Sequence, residues 1–283
     1  MMVNITQTDY WQEACSLDVG AGIHLIGLGV NEFWDIPVAA LVVLQKCQRV
    51  FLLCDGRQTE DHIRNINGKV ECLNYLYESG HYLESIHCSI MRAVMDNYNG
   101  GAAALAMNGN VLFLNNISQQ IERECDARGV PVYSYNSTSS LDGILHLSRL
   151  NINQAGLQVY TEGFLVKNPQ VLDGSIPVAI FQMGTESDGR MIVSSGEATE
   201  NYSELCRVLF AAYGPKAKFS FYQLANSRDG RNISVVGLVS ELKQLSPVNK
   251  SGTLLARIFH KKGRLSFNPL IKWLFRQERF GRS

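Results

Sequence analysis

Hydrophobic residues along the chain fall into short, nearly unbroken runs separated by amphipathic stretches. "IHLIGLG" (23–29), "RVFLLCD" (49–55), "KVECLNYLY" (69–77), "AAALAMNGN" (102–110) and "VPVYSYNSTSS" (130–140) have the length and continuity of strands buried on both faces. The intervening segments read as helices at 37–48, 57–66, about 82–98, 117–129 and 141–152. The first should be capped by Asp35 with Pro37 in its opening turn, where a missing N–H costs little. The third closes at "NGG" and the fourth at Gly129, both helix stops. Strands alternating with helices at this spacing predict βαβ units and a mostly parallel sheet.

The pattern changes near residue 156. "GLQVYTEGFLV", "IPVAIFQMG", "AKFSFYQLA", "NISVVGLVSEL" and "GTLLARIFH" read as strands, with one clear helix at about 199–212. The expected architecture is therefore α/β in two parts. Residues 22–155 form a unit with a mostly parallel sheet, and residues 156–260 form a second α/β unit with a mixed or antiparallel sheet. Residues 1–21 are a polar extension offering Tyr10 and Trp11 as docking groups. Residues 261–283 form a basic, aromatic tail carrying seven Lys/Arg against the single acid Glu278, with Leu270, Ile271, Trp273, Leu274 and Phe275 among the charges. Such a segment reads as a terminal helix packing on the body or on a second subunit, with a peptide or membrane surface as the other reading.

Composition narrows the classes. Lys plus Arg and Asp plus Glu number 26 each, so no global field favours nucleic acid or an anionic membrane. The 283-residue chain is 46% hydrophobic, enough for a substantial core. Its seven scattered cysteines show no zinc spacing and read as reduced thiols of a cytoplasmic protein. The N-terminus lacks the basic start and apolar run of a signal peptide, and no window approaches 18 apolar residues. The acidic residues show no metal or paired-carboxylate spacing, so no metal is expected.

Three polar loops then stand out at predicted strand ends. Gly27-Leu28-Gly29 lies between a strand and a helix, where glycine lets backbone approach a ligand, but it lacks the third glycine of a dinucleotide fingerprint. "MNGNVLF" (107–113) and "YNSTSSLDG" (135–143) follow the later strands. All three belong at the carboxyl edge of one sheet, where open α/β sheets bind ligands. They supply Asn108, Asn110, Ser139, Ser140 and backbone groups, with no cationic cluster, which suits a zwitterionic ligand better than a nucleoside triphosphate.

In order and spacing, "LIGLG", "RVFLLCD", "AMNGNVLFL" and "NSTSSLD" resemble the tetrapyrrole-methylase fold of S-adenosyl-L-methionine-dependent methyltransferases. Family members usually carry GxGPG, a GxP-like loop and PG[IV]SS at these places. This chain keeps Gly27, Gly29, Gly109 and Ser139-Ser140-Leu141-Asp142, while Val30, Val111 and Asn136 stand where prolines are expected. Asp55-Gly56, "LNYLYESG" (73–80), "IFQMG" (180–184) and "AYGPKAKFSFYQLAN" resemble the borosin-type peptide backbone α-N-methyltransferases, over about residues 22–260. The resemblance implies S-adenosyl-L-methionine as cofactor, bound by Gly27, Gly29, Asn108, Gly109, Asn110, Val111, Phe113, Ser139, Ser140 and Gln182. It also implies a homodimer. The tail carries no run of small apolar residues that would read as a fused substrate, so a precursor peptide is expected in trans.

A backbone amide nitrogen is a poor nucleophile, because its lone pair is delocalised into the carbonyl. Alkylating it needs in-line positioning, relief of charge on the carbonyl oxygen and an acceptor for the N–H proton. The borosins use tyrosines with an arginine for this. Resemblance points to Tyr77, and Tyr82 and His87 are the further catalytic candidates, His87 lying about where a second tyrosine belongs. Tyr75 and Tyr77 would share one face of a strand, which places at least one in the core. No arginine occurs between Arg64 and Arg92, a departure from the borosin pattern. Trp34 is expected to pack, and Gln182 could bond a peptide or the cofactor. Two alternatives stay open: methylation of a tetrapyrrole or other small molecule, and a catalytically inactive binding partner.

Overall fold

A computed structural model describes residues 12–13, 15–54, 56–77, 81–183, 202–214, 217–224, 233–239 and 253–257. The basic tail, Tyr10, Trp11 and Asp55 lie outside these residues.

The first sheet contains β1 (Gly22–Gly27), β2 (Arg49–Leu53), β3 (Val70–Cys72), β4 (Ala102–Met107) and β5 (Val132–Tyr135) in the order β3-β2-β4-β1-β5. Every pairing is parallel. The crossovers contain α1 (Val38–Lys46), α2 (Arg57–Ile66), α3 (Leu83–Asp96) and α4 (Asn116–Arg128), and α5 (Ser140–Ser148) follows β5. β1 and β4 are buried at every position, as their unbroken apolar runs require. Alternation along β4 divides its residues between two cores. Ala102, Ala104 and Ala106 join Ala40, Val43 and Leu44 of α1 and Ile63 of α2. Ala103, Leu105 and Met107 join Ile86, Ile90 and Val94 of α3 and Ile117 and Ile121 of α4. Three alanines in a row on one face let α1 lie close to the middle of the sheet.

The second sheet contains β6 (Gln158–Thr161), β7 (Val178–Phe181), β8 (Lys218–Gln223), β9 (Ile233–Leu238) and β10 (Thr253–Arg257) in the order β6-β7-β10-β8-β9. The β6–β7 pair is parallel and the other three are antiparallel, so the sheet is mixed. One face packs Val178, Ile180, Phe219, Phe221 and Leu254 against Leu165 of α7 (Glu162–Lys167) and Leu205 and Leu209 of α8 (Ser203–Tyr213). The other face sets Ala179, Phe181, Tyr222 and Leu255 against Ile144 of α5, with Phe113, Leu114, Leu141 and Leu147 alongside. The two sheets are thus held together through α5 and the loop after β4. The short helix α6 (Ile152–Ala155) makes the connection to β6.

Four local expectations are corrected. Pro37, not Asp35, occupies the N-cap of α1, and no side chain caps it. The stretch 69–77 is strand only over Val70–Cys72 and then tightens into a 3-10 turn at Asn74–Leu76. Tyr75 and Tyr77 therefore do not share a strand face: Tyr75 is 62% exposed, while Tyr77 packs on the core beneath α3. The predicted strand at 156–166 becomes helical from Glu162, because the Thr161 hydroxyl accepts the Phe164 N–H and starts α7. The predicted helix 141–152 breaks at Arg149, a left-handed cap that separates α5 from α6. All seven cysteines are free, with Cys47, Cys54, Cys125 and Cys206 buried. Among the described residues no helix is long and apolar enough to cross a membrane.

Phe51 is fully buried in the middle of β2. Phe51→Ala should lower unfolding stability by about 3–5 kcal/mol, read as a reduced urea midpoint at unchanged slope.

Candidate functional site

The three predicted loops do meet at the carboxyl edge of the parallel sheet, and their first partners are one another. Gly29 and Gly109, both in the left-handed region at φ 77° and 72°, form an isolated antiparallel bridge. Gly29 N–H donates to the Gly109 carbonyl at 3.2 Å, and Gly109 N–H returns the bond at 2.8 Å. The Asn110 carboxamide donates to Asn136 Oδ1 and to the Ser137 carbonyl, both at 2.9 Å. Ser137 Oγ donates to the Gly109 carbonyl at 2.8 Å. A Cβ on Gly27 would lie 2.0 Å from that Ser137 oxygen, so glycine is required for contact within the protein.

The carboxylate of Asp35 accounts for the glycine turn. Its Oδ2 accepts from the N–H groups of Val30 (3.1 Å) and Asn31 (2.9 Å), from Asn31 Nδ2 (3.2 Å) and from Thr138 Oγ1 (2.8 Å). Backbone donors that elsewhere cradle an anion are here occupied by the protein's own carboxylate. Ser139 is likewise engaged, forming a capping box with Asp142 at the start of α5.

A cavity of about 650 Å³ opens beside these loops, between the ends of β2 and β4 and the residue after β7. Its floor is Leu53 and Met107, the last residues of β2 and β4, with Cys54 and Asn108, which follow them. One wall carries Asn74, Tyr77 and His87; the other carries Leu114, the first residues of α4 and Gln182. Of the expected site residues, Tyr77, His87, Asn108 and Gln182 are brought together here. Gly27, Gly29, Gly109, Asn110, Val111, Phe113, Ser139 and Ser140 lie outside this lining. Val111 is buried in the core beneath α3 and α4, and Phe113 meets Phe181 edge to face at 5.2 Å. Tyr82 is also outside the lining, 53% exposed at the start of α3.

The described lining contains no Lys, Arg, Asp or Glu. Among the described residues the side chains of Asn108 and His87 find no hydrogen-bond partner, which leaves their polar atoms available in the cavity. Burial lowers the His87 pKa below its ordinary 6.5, and nearby Glu84 opposes this only in part, so the site favours the neutral ring. Asn115 caps α4, accepting from the N–H groups of Ile117 and Ser118, so that a helix N-terminus faces the cavity. Gln182 Nε2 donates to the Leu114 carbonyl at 3.1 Å and closes the wall. Both residues hold left-handed backbone, at φ 53° and 51°, a conformation costing a bulky residue about 1–3 kcal/mol. Two of the three non-glycine residues with positive φ among those described thus meet at this one contact.

Asn74, Cys54 and the Asn115-Asn116 pair were not identified from sequence. Asn74 was hidden inside an apparent strand. The Asn-Asn dipeptide ahead of "ISQQIE" is a legible cap signal that would have aimed a helix end at this edge. Among the described residues no cluster of three or more metal-binding side chains occurs.

No family model and no curated protein sequence matches the chain. Solved structures do. A uroporphyrin-III-C-methyltransferase from Thermus thermophilus aligns at TM-score 0.56 and 13% identity, over 84% of this chain and 92% of its own. A diphthine synthase aligns at TM-score 0.55 and 13% identity, over 83% and 89%. The fold that this chain shares with them, a five-stranded parallel sheet joined to a mixed one, is the tetrapyrrole-methylase fold.

The loop geometry separates two glycines. A Cβ on Gly109 meets nothing within 4 Å, whereas on Gly29 it would lie 2.0 Å from the Asp35 Cβ. Gly109→Ala should cost about 1–2 kcal/mol from left-handed strain alone. Gly29→Ala should cost clearly more, measured by urea denaturation.

Proposed function

We propose that this protein is an S-adenosyl-L-methionine-dependent methyltransferase, and that its acceptor is a backbone amide nitrogen of a separate precursor peptide. The shared fold supports the first statement. The observation that carries the second is the uncharged cavity, with a neutral histidine and a tyrosine on one wall.

The cofactor fits the residues present. A volume of about 650 Å³ lies within the range of small-molecule sites. Leu53, Met107, Leu114 and Ile117 offer apolar surface for the adenine, and the carboxamide of Asn108 offers both a donor and an acceptor. The N-terminus of α4 suits a carboxylate. When bound, the cofactor supplies an electrophilic methyl group on a sulfonium.

The chain's own groups then do three things. The Tyr77 hydroxyl donates to the acceptor's carbonyl oxygen, where negative charge grows as the amide loses its proton. A ring nitrogen of His87 takes that proton, which an imidazole kept in its neutral form by burial can do. Closure of the wall by Gln182 and Leu114 restricts water. This assignment uses no arginine. A polycarboxylate such as a uroporphyrin would find no cation in the described lining, which favours the uncharged amide over that acceptor.

Calorimetry should show S-adenosyl-L-methionine binding, and mass spectrometry of peptides incubated with the protein should show one-methyl increments on backbone nitrogen. Methylation confined to a side chain or a small molecule would overturn the peptide assignment. No binding at millimolar cofactor would overturn the methyltransferase reading itself.

Burial disfavours the charged form of His87, so the base is competent above its folded pKa and lost as pH falls through it. The acid limb of kcat/KM should therefore lie below pH 6.5. His87→Gln should abolish that limb and lower kcat by about 10²–10⁴-fold.

A further inference from the structure

The β2–β3 ladder runs in register from Val50↔Val70 to Leu52↔Cys72. Leu73 N–H still donates to the Leu52 carbonyl at 2.8 Å, and there the main-chain ladder stops, because the chain turns into the 3-10 segment Asn74–Leu76. Continuing the register would set the Asn74 backbone opposite Cys54. The Asn74 side chain takes that place. Its Oδ1 accepts the Cys54 N–H at 3.2 Å, and its Nδ2 donates to the Cys54 carbonyl at 2.5 Å. One carboxamide thereby satisfies both backbone groups of a residue on the cavity floor, as a neighbouring strand would.

From the same residue the turn extends to the wall. Leu76 N–H donates to the Leu73 carbonyl and Tyr77 N–H to the Asn74 carbonyl, each at 3.0 Å. Tyr77 is thus attached to the sheet through Asn74, and Asn74 is fastened to the end of β2 through its side chain. We propose that Asn74 is the positioning residue for Tyr77, fixing the phenol relative to the cavity floor without touching the acceptor. The role rests on the methyltransferase reading, in which Tyr77 steadies the carbonyl oxygen. Nothing in the residue type alone signals it. An asparagine inside an apolar run is unfavourable in a strand and becomes favourable only where its amide replaces a lost ladder step.

The geometry makes the functional effect depend on Tyr77. A residue that acts only through Tyr77 loses its influence once the phenol hydroxyl is gone, whereas a general strut does not. Four variants test this: Asn74→Ala, Asn74→Asp, Tyr77→Phe and the double Asn74→Ala/Tyr77→Phe. Asn74→Ala should lower kcat by about 10–100-fold while leaving the KM for S-adenosyl-L-methionine within about threefold. In the Tyr77→Phe background the same change should alter kcat by less than about twofold. Asn74→Asp keeps the acceptor for Cys54 N–H but opposes a carboxylate to the Cys54 carbonyl. It should lose a similar factor, and it decides the matter if the alanine variant does not fold. Equal losses in the two backgrounds, or an unchanged kcat in Asn74→Ala, would overturn the proposal.

Amide hydrogen exchange supplies a readout independent of turnover. The Tyr77 and Leu76 amides should exchange at least about tenfold faster in Asn74→Ala, with Phe51 and Leu52 unchanged. Unchanged protection at Tyr77 would overturn the positioning role whether or not a methyl acceptor is found. Failure of the wild-type protein to bind cofactor would instead remove the methyltransferase reading, leaving hydrogen exchange to decide whether Asn74 holds Tyr77.

Discussion

The reciprocal pair of hydrogen bonds between Gly29 and Gly109 fixes the carboxyl edge on which everything else is arranged. β1 and β4 are adjacent central strands, and this pair ties together the loops that leave them. Each glycine must be left-handed to present its N–H and C=O to the other, so neither position readily accepts a side chain. Once they are joined, Asn110 and Ser137 can stitch in the loop after β5, and Asp35 can span from the first loop to Thr138 of the third. The edge becomes a rigid, self-satisfied rim. Ligand-accessible polar groups are displaced sideways, onto Asn108 at the end of β4 and the wall opposite.

The fold was largely legible in the sequence, because strands buried on both faces leave unbroken apolar runs. "HLIG", "VFLL" and "AAALAM" admit little else when helical periodicity lies between them. Errors arose where a single side chain competed with the main chain. Asn74 ended β3 by taking over a ladder step, and Thr161 started a helix within an apparent strand. Asp35 turned back to the glycine loop rather than forward to α1. Each outcome depends on which donors lie nearby in space, and those belong to distant parts of the chain.

The same limit applied to the site. The glycine and serine loops were correctly placed at one edge, but pattern alone could not reveal that they satisfy one another. Tyr77, His87, Asn108 and Gln182 come from four separate segments, and the cavity brings them together. Their setting is nearly free of charge, which makes the neutrality of His87 a matter of desolvation rather than of ion pairing. Chemistry in such a place relies on fixed dipoles and on the placement of a few hydrogen-bonding atoms.

The Leu114–Gln182 bond has a consequence in time as well as in space. It joins residues 68 positions apart, and Gln182 follows a strand whose sheet is completed only by β10, at residues 253–257. During synthesis the parallel sheet can pair as soon as β5 has emerged, yet the cavity lacks its outer wall until the second sheet has assembled. Contacts of such long sequence separation form late, since loop closure must precede them. The newly made chain would pass through a state in which the wall carrying Tyr77 and His87 is present and the enclosing wall is not. That state exposes Phe113, Leu114 and Leu141 to solvent or to chaperones.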